Sequence, residues 1–247
     1  MIDLHCHVLP GVDDGSRNME MSMEMARIAK KGGTDIIVAT PHSNIPGLYR
    51  NYYGPWYDSL FEETKAVFAA YGIELLPGME VFSTYDTPEY LDEGRFLTIN
   101  QSRYLLIEFD FGISFANASD ILNRVKDKGY IPLIAHAERF DFIKNSPHNA
   151  FLLSESGCVL QANKGSFLGD FGSTVQKTAY LLLKHGLYSV VASDAHNHSN
   201  RNTYLKDVYN ELKYEVTSSL LDSLFNENPQ RIINDGEILQ FEKYDFV

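Results

Sequence analysis

The sequence predicts an α/β fold in which about seven parallel strands curl into a barrel. Short apolar runs rich in Val, Ile and Leu alternate with stretches of helical periodicity along the 247 residues. Most runs are followed by a helix, which is typical of parallel pairing. His and carboxylate side chains stand just after many of these runs. A barrel brings the carboxyl ends of its strands to one mouth, whereas an open sheet would spread them apart.

The predicted elements follow one another without a linker or an internal repeat, so we expect one domain over residues 1–247. Strands are predicted near residues 2–4, 36–39, 73–76, 104–107, 131–135, 159–161 and 189–192. Helices are predicted near residues 18–31, 56–71, 118–128, 146–156, 173–185, 203–213 and 217–226. The first helix owes its apolar face to Met19, Met23 and Ile28, and such a methionine stripe indicates core packing.

Composition excludes several classes of function. The formal net charge of −12 argues against binding to a nucleic-acid backbone or an anionic membrane, which requires clusters of Lys and Arg. No apolar run approaches the roughly 20 residues that span a bilayer, so we expect no membrane insertion. No secretory signal is visible. Cys6 and Cys158 form no disulfide framework, which suits a reducing cytoplasm.

The chemistry of the chain is indicated by residues that follow the predicted strands. The full series, nearly all of which follows an apolar run, is His5, His7, Asp13, Asp14, His42, Glu80, Glu108, His136, Asp194 and His196. This set exceeds what one tetrahedral zinc ion uses. Mixed imidazole and carboxylate ligands suit Mn, Fe or Zn in a cluster of several ions. Two ions about 3.5–4 Å apart are the usual device for phosphoryl transfer, because they bind both the attacking and the leaving oxygen.

Five segments carry a family resemblance: residues 1–16 (MIDLHCHVLPGVDDGS), 39–42 (ATPH), 77–80 (PGME), 135–139 (AHAER) and 192–196 (ASDAH). They resemble the polymerase-and-histidinol-phosphatase (PHP) superfamily over nearly the whole chain. Within it, the chain is similar to the bacterial manganese-dependent protein-tyrosine phosphatases of capsule and exopolysaccharide clusters. The resemblance implies a single PHP-type domain with a distorted TIM-like (β/α)7 barrel.

The resemblance also implies a trinuclear site with three divalent ions, Mn²⁺ being favoured and Fe, Co or Zn the alternatives. The implied ligand sets are His5, His7, Glu80 and Asp194 for the first ion, Glu80, Glu108 and His136 for the second, and Asp14, His42 and His196 for the third. Arg139 and Arg201 match the positions that bind the substrate phosphate, and are the implied catalytic and substrate-binding residues.

The function expected from this reasoning is hydrolysis of phosphotyrosine in a protein, with a hydroxide held between two ions as nucleophile. The resemblance implies a partner, a bacterial tyrosine kinase with a Tyr-rich tail that regulates exopolysaccharide assembly. Cysteine-based catalysis is excluded, since it needs Arg six positions after the cysteine. That position holds Lys164 after Cys158 and Val12 after Cys6.

Three alternatives remain open. The same metals could serve a small phosphate ester, such as histidinol phosphate or a nucleotide. A metal-stabilised scaffold without activity would more often use a closed tetrahedral site. An amidohydrolase-type deaminase also has His-x-His in a barrel, but Glu80, Glu108 and the arginines favour phosphate.

The remaining polar and aromatic residues are expected to have structural, orienting or surface roles. Asp13 is expected to shape its turn, and Glu138 and Asp110 are candidates for orienting ligands. Surface or loop positions are expected for His148, His185, His198, Arg17 and Arg50. The aromatic segment 49–57 either forms a wall of the cleft or packs against the outside of the barrel.

Overall fold

A computed structural model describes residues 1–246 of the chain and shows strands alternating with helices. The strands are β1 (Ile2–Cys6), β2 (Ile36–Ala39), β3 (His42–Ser43), β4 (Glu74–Pro77), β5 (Glu80–Phe82), β6 (Tyr104–Glu108), β7 (Ile131–Ile134), β8 (Val159–Asn163) and β9 (Val190–Ala192). Every pairing between these strands is parallel. The predicted α/β class with parallel pairing is therefore confirmed.

Two of the predicted strands, near 36–39 and 73–76, are each followed by a second short strand that was not predicted. Thr40 and Pro41 separate β2 from β3, and Pro41 has no N–H to donate to a ladder. Gly78 and Met79 separate β4 from β5. A Cβ at Gly78 would lie only 2.8 Å from Cγ1 of Val38, so the close approach of these strands requires glycine.

The strands form a closed ring around a barrel-like core, because the segment after the last strand pairs with the first strand. One sheet has the order β1–β2–β4 and the other the order β3–β5–β6–β7–β8–β9. The segment after β9 closes the ring, because Cys6 forms a parallel bridge with Ala195. His7 N donates to Ala195 O at 2.9 Å, and Asp194 N donates to His5 O at the same distance. With β2/β3 and β4/β5 each counted as one run, the nine strands form seven, as predicted.

The helices pack around the sheet. They are α1 (Met19–Lys31), α2 (Pro55–Ala70), α3 (Thr87–Asp92), α4 (Phe115–Asp127), α5 (Asp141–Asn145), α6 (His148–Glu155), α7 (Lys164–Leu168), α8 (Ser173–Lys184), α9 (Lys206–Leu212), α10 (Ser218–Asp222) and α11 (Asn228–Ile233). Side-chain caps fix four of the starts: Asn18 accepts from Met21 N, Ser114 from Asn117 N, Asn163 from Gly165 N and Thr217 from Leu220 N. Within residues 1–246, no helix combines the length and hydropathy needed to cross a membrane.

The C-terminal helices differ most from the prediction. α9 begins later than predicted, because the Thr203 hydroxyl donates to Met25 O at 2.6 Å and ties the preceding loop to α1. The helix predicted near 217–226 is divided, with α10 ending at Asp222 and a π-helical turn covering Ser223–Glu227. Both differences arise from tertiary contacts or local hydrogen bonding that hydrophobic periodicity does not report.

An apolar plug fills the barrel below the strand ends. Leu4, Val38, Leu106 and Leu133 are each 0% exposed and belong to one buried cluster. Glu108 follows Leu106 by two residues, so alternation along β6 places both on the same side of the strand. The polar groups at the carboxyl ends of the strands therefore lie directly above a layer of buried apolar side chains. A separate and larger apolar core lies between the helices and the strands.

Candidate metal centre

The carboxyl ends of the strands bring the predicted ligands together. His5 lies within β1 and Glu108 ends β6, while His136 and Asp194 each follow the last residue of a strand by two positions. Both of these follow-on residues have positive φ, 35° for His136 and 49° for Asp194. The chain turns sharply there, which directs both side chains into the barrel mouth. His42 and Glu80 differ slightly from the prediction, because they begin β3 and β5.

The first group of side chains consists of His5, His7, Glu80 and Asp194. His5 Nε2 lies 3.1 Å from His7 Nε2 and 3.2 Å from Glu80 Oε2. Asp194 Oδ1 lies 3.5 Å from Nε2 of both histidines. These side chains are almost fully buried. The first ligand set implied by the resemblance is thus an assembled cluster.

Glu80 also contacts a second group. Its Oε1 atom lies 3.0 Å from His136 Nε2, which in turn lies 3.9 Å from Glu108 Oε2. His42 approaches the same carboxylates more closely, with Nδ1 2.9 Å from Glu80 Oε2 and 2.8 Å from Glu108 Oε1. His42 therefore lies beside the second set as well as the third. The family resemblance implies His42 as a ligand of the third ion alone.

The third group gathers around Asp14. Its Oδ1 atom lies 3.5 Å from Nε2 of both His42 and His196. His7 completes a group in which all four ligand atoms lie within 4.8 Å of one another. The Asp14 side chain is 53% exposed, unlike the other carboxylates of the centre. This group is therefore the one open to solvent.

Several of these atoms lie close together without forming hydrogen bonds. Within residues 1–246, His42 Nδ1, Glu80 Oε2 and Glu108 Oε1 are buried and have no hydrogen-bond partner. Buried polar atoms without partners are rare, because each costs desolvation free energy. Octahedral ligands about 2.1 Å from an ion lie about 3 Å from one another, which is the spacing seen here. The donor set and its orphaned atoms fit divalent metal ions.

Electrostatics make the centre a binding site for positive charge. Burial pushes the pKa of His42 down, but the charge of Glu80 and the close contacts of the ring with the Glu80 and Glu108 carboxylates together outweigh it and raise the pKa to about 10. Burial favours the neutral form of Glu80, yet the neighbouring His5 and His42 hold its pKa well below the usual range. The carboxylates are therefore charged and require cations beside them, either protons on imidazole or metal ions.

A surrounding layer of polar residues orients the ligands, and most of it escaped the sequence reasoning. Gln161 Oε1 lies 2.9 Å from His5 Nδ1, and Asn163 Nδ2 donates to Asp194 Oδ2. Both residues belong to β8 and alternate with buried apolar residues, a pattern that places them on one face of the strand. That alternation was the available signal. Such partners fix the ring orientation of a ligand and its tautomer.

Asp13 has the expected turn role and a further contact. Its Oδ1 accepts from Gly15 N at 2.9 Å, while Oδ2 lies 2.8 Å from His7 Nδ1. Glu138, considered as an orienting residue, is fully buried and accepts from Asn163 N and the Tyr188 hydroxyl. It supports Asn163 and does not contact a predicted ligand directly.

The two predicted phosphate-binding arginines lie beside the centre. Arg201 Nη2 is 2.8 Å from Asp194 Oδ2, and Arg139 Nη1 is 3.6 Å from the same oxygen. The Arg139 guanidinium also contacts the rings of Phe111 and Phe171. Neither aromatic residue was singled out from the sequence, because an isolated Phe in a loop carries no pattern.

The other histidines and the aromatic segment lie outside the ligand groups. His148 and His185 contact residues 245 and 244 near the C-terminus, and His198 is exposed. Arg17 and Arg50 are exposed as expected. In the segment 49–57 both alternatives apply. Tyr49 stacks on His42 at 6.0 Å between ring centroids, whereas Tyr57 is buried in the core.

Comparisons with known proteins agree with this geometry. Residues 1–234 match the family described as "Capsular polysaccharide synthesis, CpsB/CapC". The tyrosine-protein phosphatase YwqE of Bacillus subtilis is 34% identical over 97% of this chain and 94% of its own length. The tyrosine-protein phosphatase CpsB of Streptococcus pneumoniae is 31% identical over 95% of this chain and 99% of its own length.

Solved structures show the same relationship. A crystal structure from the pair YwqE of Bacillus subtilis and CpsB of Streptococcus pneumoniae, described as unique metal-dependent tyrosine phosphatases, matches with a TM-score of 0.90. It is 32% identical, and the match covers 100% of both chains. The lactonase Lmo2620 of Listeria monocytogenes, at 12% identity and a TM-score of 0.63, shares the fold alone, over 96% of this chain and 95% of its own. By its sequence and its fold, this chain belongs to the CpsB/CapC family of capsular polysaccharide synthesis.

Proposed function

We propose that this chain is a metal-dependent protein-tyrosine phosphatase that uses the centre at the barrel mouth. The observation that carries the proposal is the clustering of the predicted imidazole and carboxylate ligands, with two arginines beside them. The names of the family relatives support the same activity. The chain is proposed to form one catalytic domain of the PHP type.

Three divalent ions, most simply Mn²⁺, would be held by the three groups described above. Glu80 would join the first two groups, because one oxygen faces His5 and His7 while the other faces His136. His42 would lie between the second and third groups. When bound, such ions lower the pKa of a water molecule and neutralise charge on a phosphoryl group. Their charge exceeds that of the four carboxylates, which leaves the pocket attractive to a phosphate dianion.

The arginines would bind the phosphoryl oxygens of the substrate. Guanidinium groups match phosphate geometry, and their hydrogen bonds to it are charge-assisted. Tyrosine is a favourable leaving group, since its phenol has a pKa of about 10. A dedicated general acid is therefore unnecessary, and His42 and His196 serve better as ligands. The aromatic leaving group also explains why the pocket needs few groups beyond cations.

The proposed substrate is a phosphotyrosyl protein. A bacterial tyrosine kinase with a Tyr-rich tail, acting in capsule or exopolysaccharide synthesis, is the proposed partner, and the cytoplasm is the proposed location. The acidic surface, with a formal net charge of −12, disfavours long nucleic acids as substrates. A small phosphate ester such as histidinol phosphate is the competing substrate class.

A pair of histidine variants tests the proposal. His196→Ala removes a buried imidazole of the third group, while His198→Ala removes an exposed one two residues later. With Mn²⁺ present, we expect His196→Ala to lower kcat/KM for a phosphotyrosyl peptide by about 100-fold or more. We expect His198→Ala to match the wild type. Equal activity of both variants, or a clear preference of the wild type for histidinol phosphate over the peptide, would overturn the proposal.

A further inference from the structure

Arg139 is held in place by aromatic rings. Its guanidinium carbon lies 4.5 Å from the ring centroid of Phe111 and 4.3 Å from that of Phe171. Within residues 1–246 the guanidinium has an acidic neighbour at 3.6 Å, Asp194, but forms no hydrogen bond. Stacking engages the flat faces of a guanidinium and leaves its N–H edge free. Arg139 is therefore fixed in orientation while its donors remain available to a phosphoryl group.

Phe171 belongs to the rigid part of this arrangement. A Cβ at Gly165 would lie 2.9 Å from Cε2 of Phe171, so the ring packs directly onto the backbone at the start of α7. Gly165 N in turn donates to the Asn163 side chain. The ring also lies 5.9 Å from the Arg201 guanidinium carbon. Phe171 is placed to position arginines, and its ring is half-buried.

Phe111 is equally well held but more open. Its ring lies 5.7 Å from that of His136 and 5.8 Å from that of Phe140. Its backbone oxygen accepts from Asp141 N at 2.9 Å, which anchors the loop after β6. Even so, Phe111 is 38% exposed. A fixed, exposed phenyl ring beside a phosphate-binding arginine is an apolar surface at the rim of a charged pocket.

We infer that Phe111 is a specificity-determining residue, whose exposed ring receives the aromatic ring of the substrate, and that Phe171 only positions Arg139. The inference rests on the proposed function and adds the residue that selects aryl over alkyl phosphates. An aromatic pair contributes roughly three- to tenfold in affinity beyond apolar area alone. The selectivity due to Phe111 should be of this size.

Binding of two phosphonates tests the inference without requiring turnover. Phenylphosphonate and methylphosphonate both have a P–C bond, so neither is hydrolysed, and they differ in the group that Phe111 would contact. Titration calorimetry on the Mn²⁺-loaded protein gives the ratio of their dissociation constants. We expect the wild type to prefer phenylphosphonate by about three- to tenfold or more, and Phe111→Ala to reduce that preference to within about twofold. Phe111→Tyr should retain it.

Two further variants separate selection from positioning. Phe171→Ala should weaken the binding of both phosphonates by a similar factor and leave the ratio of their dissociation constants unchanged. Tyr85→Ala is a matched control, because Tyr85 is 43% exposed and contacts another arginine, Arg124, at 5.0 Å. It should change neither constant. Metal content measured on every variant shows that the centre is intact.

The outcomes are distinct for the inference and for the proposed function. A wild type without aryl preference, or a Phe111→Ala variant that keeps the preference, overturns the inference. The inference is also overturned if Phe171→Ala reduces the preference for phenylphosphonate as much as Phe111→Ala does, since the selectivity would then not be specific to Phe111. If phosphotyrosine is still hydrolysed in these cases, the proposed function stands. A protein that binds neither phosphonate and hydrolyses no phosphotyrosine loses both.

Discussion

Arg201 is bound to Asp194 at two points. Its Nη2 atom lies 2.8 Å from the Oδ2 carboxylate oxygen and also donates to the backbone oxygen at 3.2 Å. Asp194 Oδ1 meanwhile faces His5 and His7. Arg201 is therefore part of the support of a candidate ligand, whereas the Arg139 guanidinium lies 3.6 Å from the same carboxylate and forms no hydrogen bond within the described chain. The two arginines should respond differently to substitution.

Arg139→Ala should lower kcat/KM for a phosphotyrosyl peptide by about 100-fold while leaving metal content near that of the wild type, because only phosphate binding is lost. Arg201→Ala should lower both kcat/KM and metal content, since Asp194 loses the guanidinium that holds its carboxylate in place. Elemental analysis of the purified variants, combined with the peptide assay, measures the two effects. Equal metal loss in both variants would contradict the distinction.

Glu80→Gln should be the most damaging isosteric change in the centre. It removes the charge of a fully buried carboxylate that faces four histidines, so two proposed ion positions lose a ligand. We expect turnover to fall by about 1,000-fold or more, with loss of bound metal. Asp14→Asn, at the exposed third group, is the comparison and should release fewer ions per chain. The opposite order of metal loss would show that Glu80 does not join two groups.

Asp13→Asn tests the layer of residues that orients the ligands. The amide keeps an oxygen for the turn but exchanges the charged partner of His7 for a neutral one. Metal affinity should fall about 10- to 100-fold, as is usual for such partners. Asp110→Asn is the matched control, because Asp110 accepts from Gly112 N at 2.9 Å in the same kind of turn. Metal titration in the presence of a competing chelator gives both affinities, and equal losses would argue against the role of Asp13.

The free energy of unfolding of the metal-free protein should decrease as pH rises. The folded pKa of His42, about 10, lies above its ordinary value of 6.5, because burial lowers it less than the Glu80 charge and the contacts with the Glu80 and Glu108 carboxylates together raise it. The folded metal-free protein therefore retains a proton that the unfolded chain releases, and this stabilisation is complete below about pH 6.5 and lost as pH rises towards about 10.

We expect the Tm of chelator-treated protein to decrease from about pH 6.5 to about pH 8.5, and the increase in Tm on adding Mn²⁺ to grow over that range. His42→Asn should show a shallower decrease that does not vanish, since the pKa values of His5 and His7 are also raised in the folded protein. Thermal unfolding followed by circular dichroism measures each series. A Tm of the metal-free protein that rises with pH would contradict the assignment.

Much of this architecture could be predicted because it depends on local sequence patterns. Strand runs such as 36–39 and 104–107 were recognisable from their β-branched and aliphatic residues, and the ligands stand at their ends. Barrel geometry then requires these ends to meet. The position of His42 between two groups could not be foreseen, since it depends on the direction of one ring.

The residues that the sequence reasoning missed act through contacts between distant segments. Gln161 contacts His5 across 156 positions of sequence, and although its alternation with apolar residues indicates the face of β8 on which it lies, it does not indicate this partner. Phe111 and Phe171 come from separate loops and meet at Arg139 only in the folded chain. Tertiary contacts of this kind become visible only when the strands have been arranged in space.

The bridge between Cys6 and Ala195 has a consequence for biogenesis. His5 and His7 are synthesised well before Asp194 and His196, which follow nearly two hundred residues later. The proposed metal pocket therefore stays incomplete until Asp194 and His196 have been made and the segment after β9 docks against β1. Fragments of the chain that end before Asp194 would lack a finished pocket.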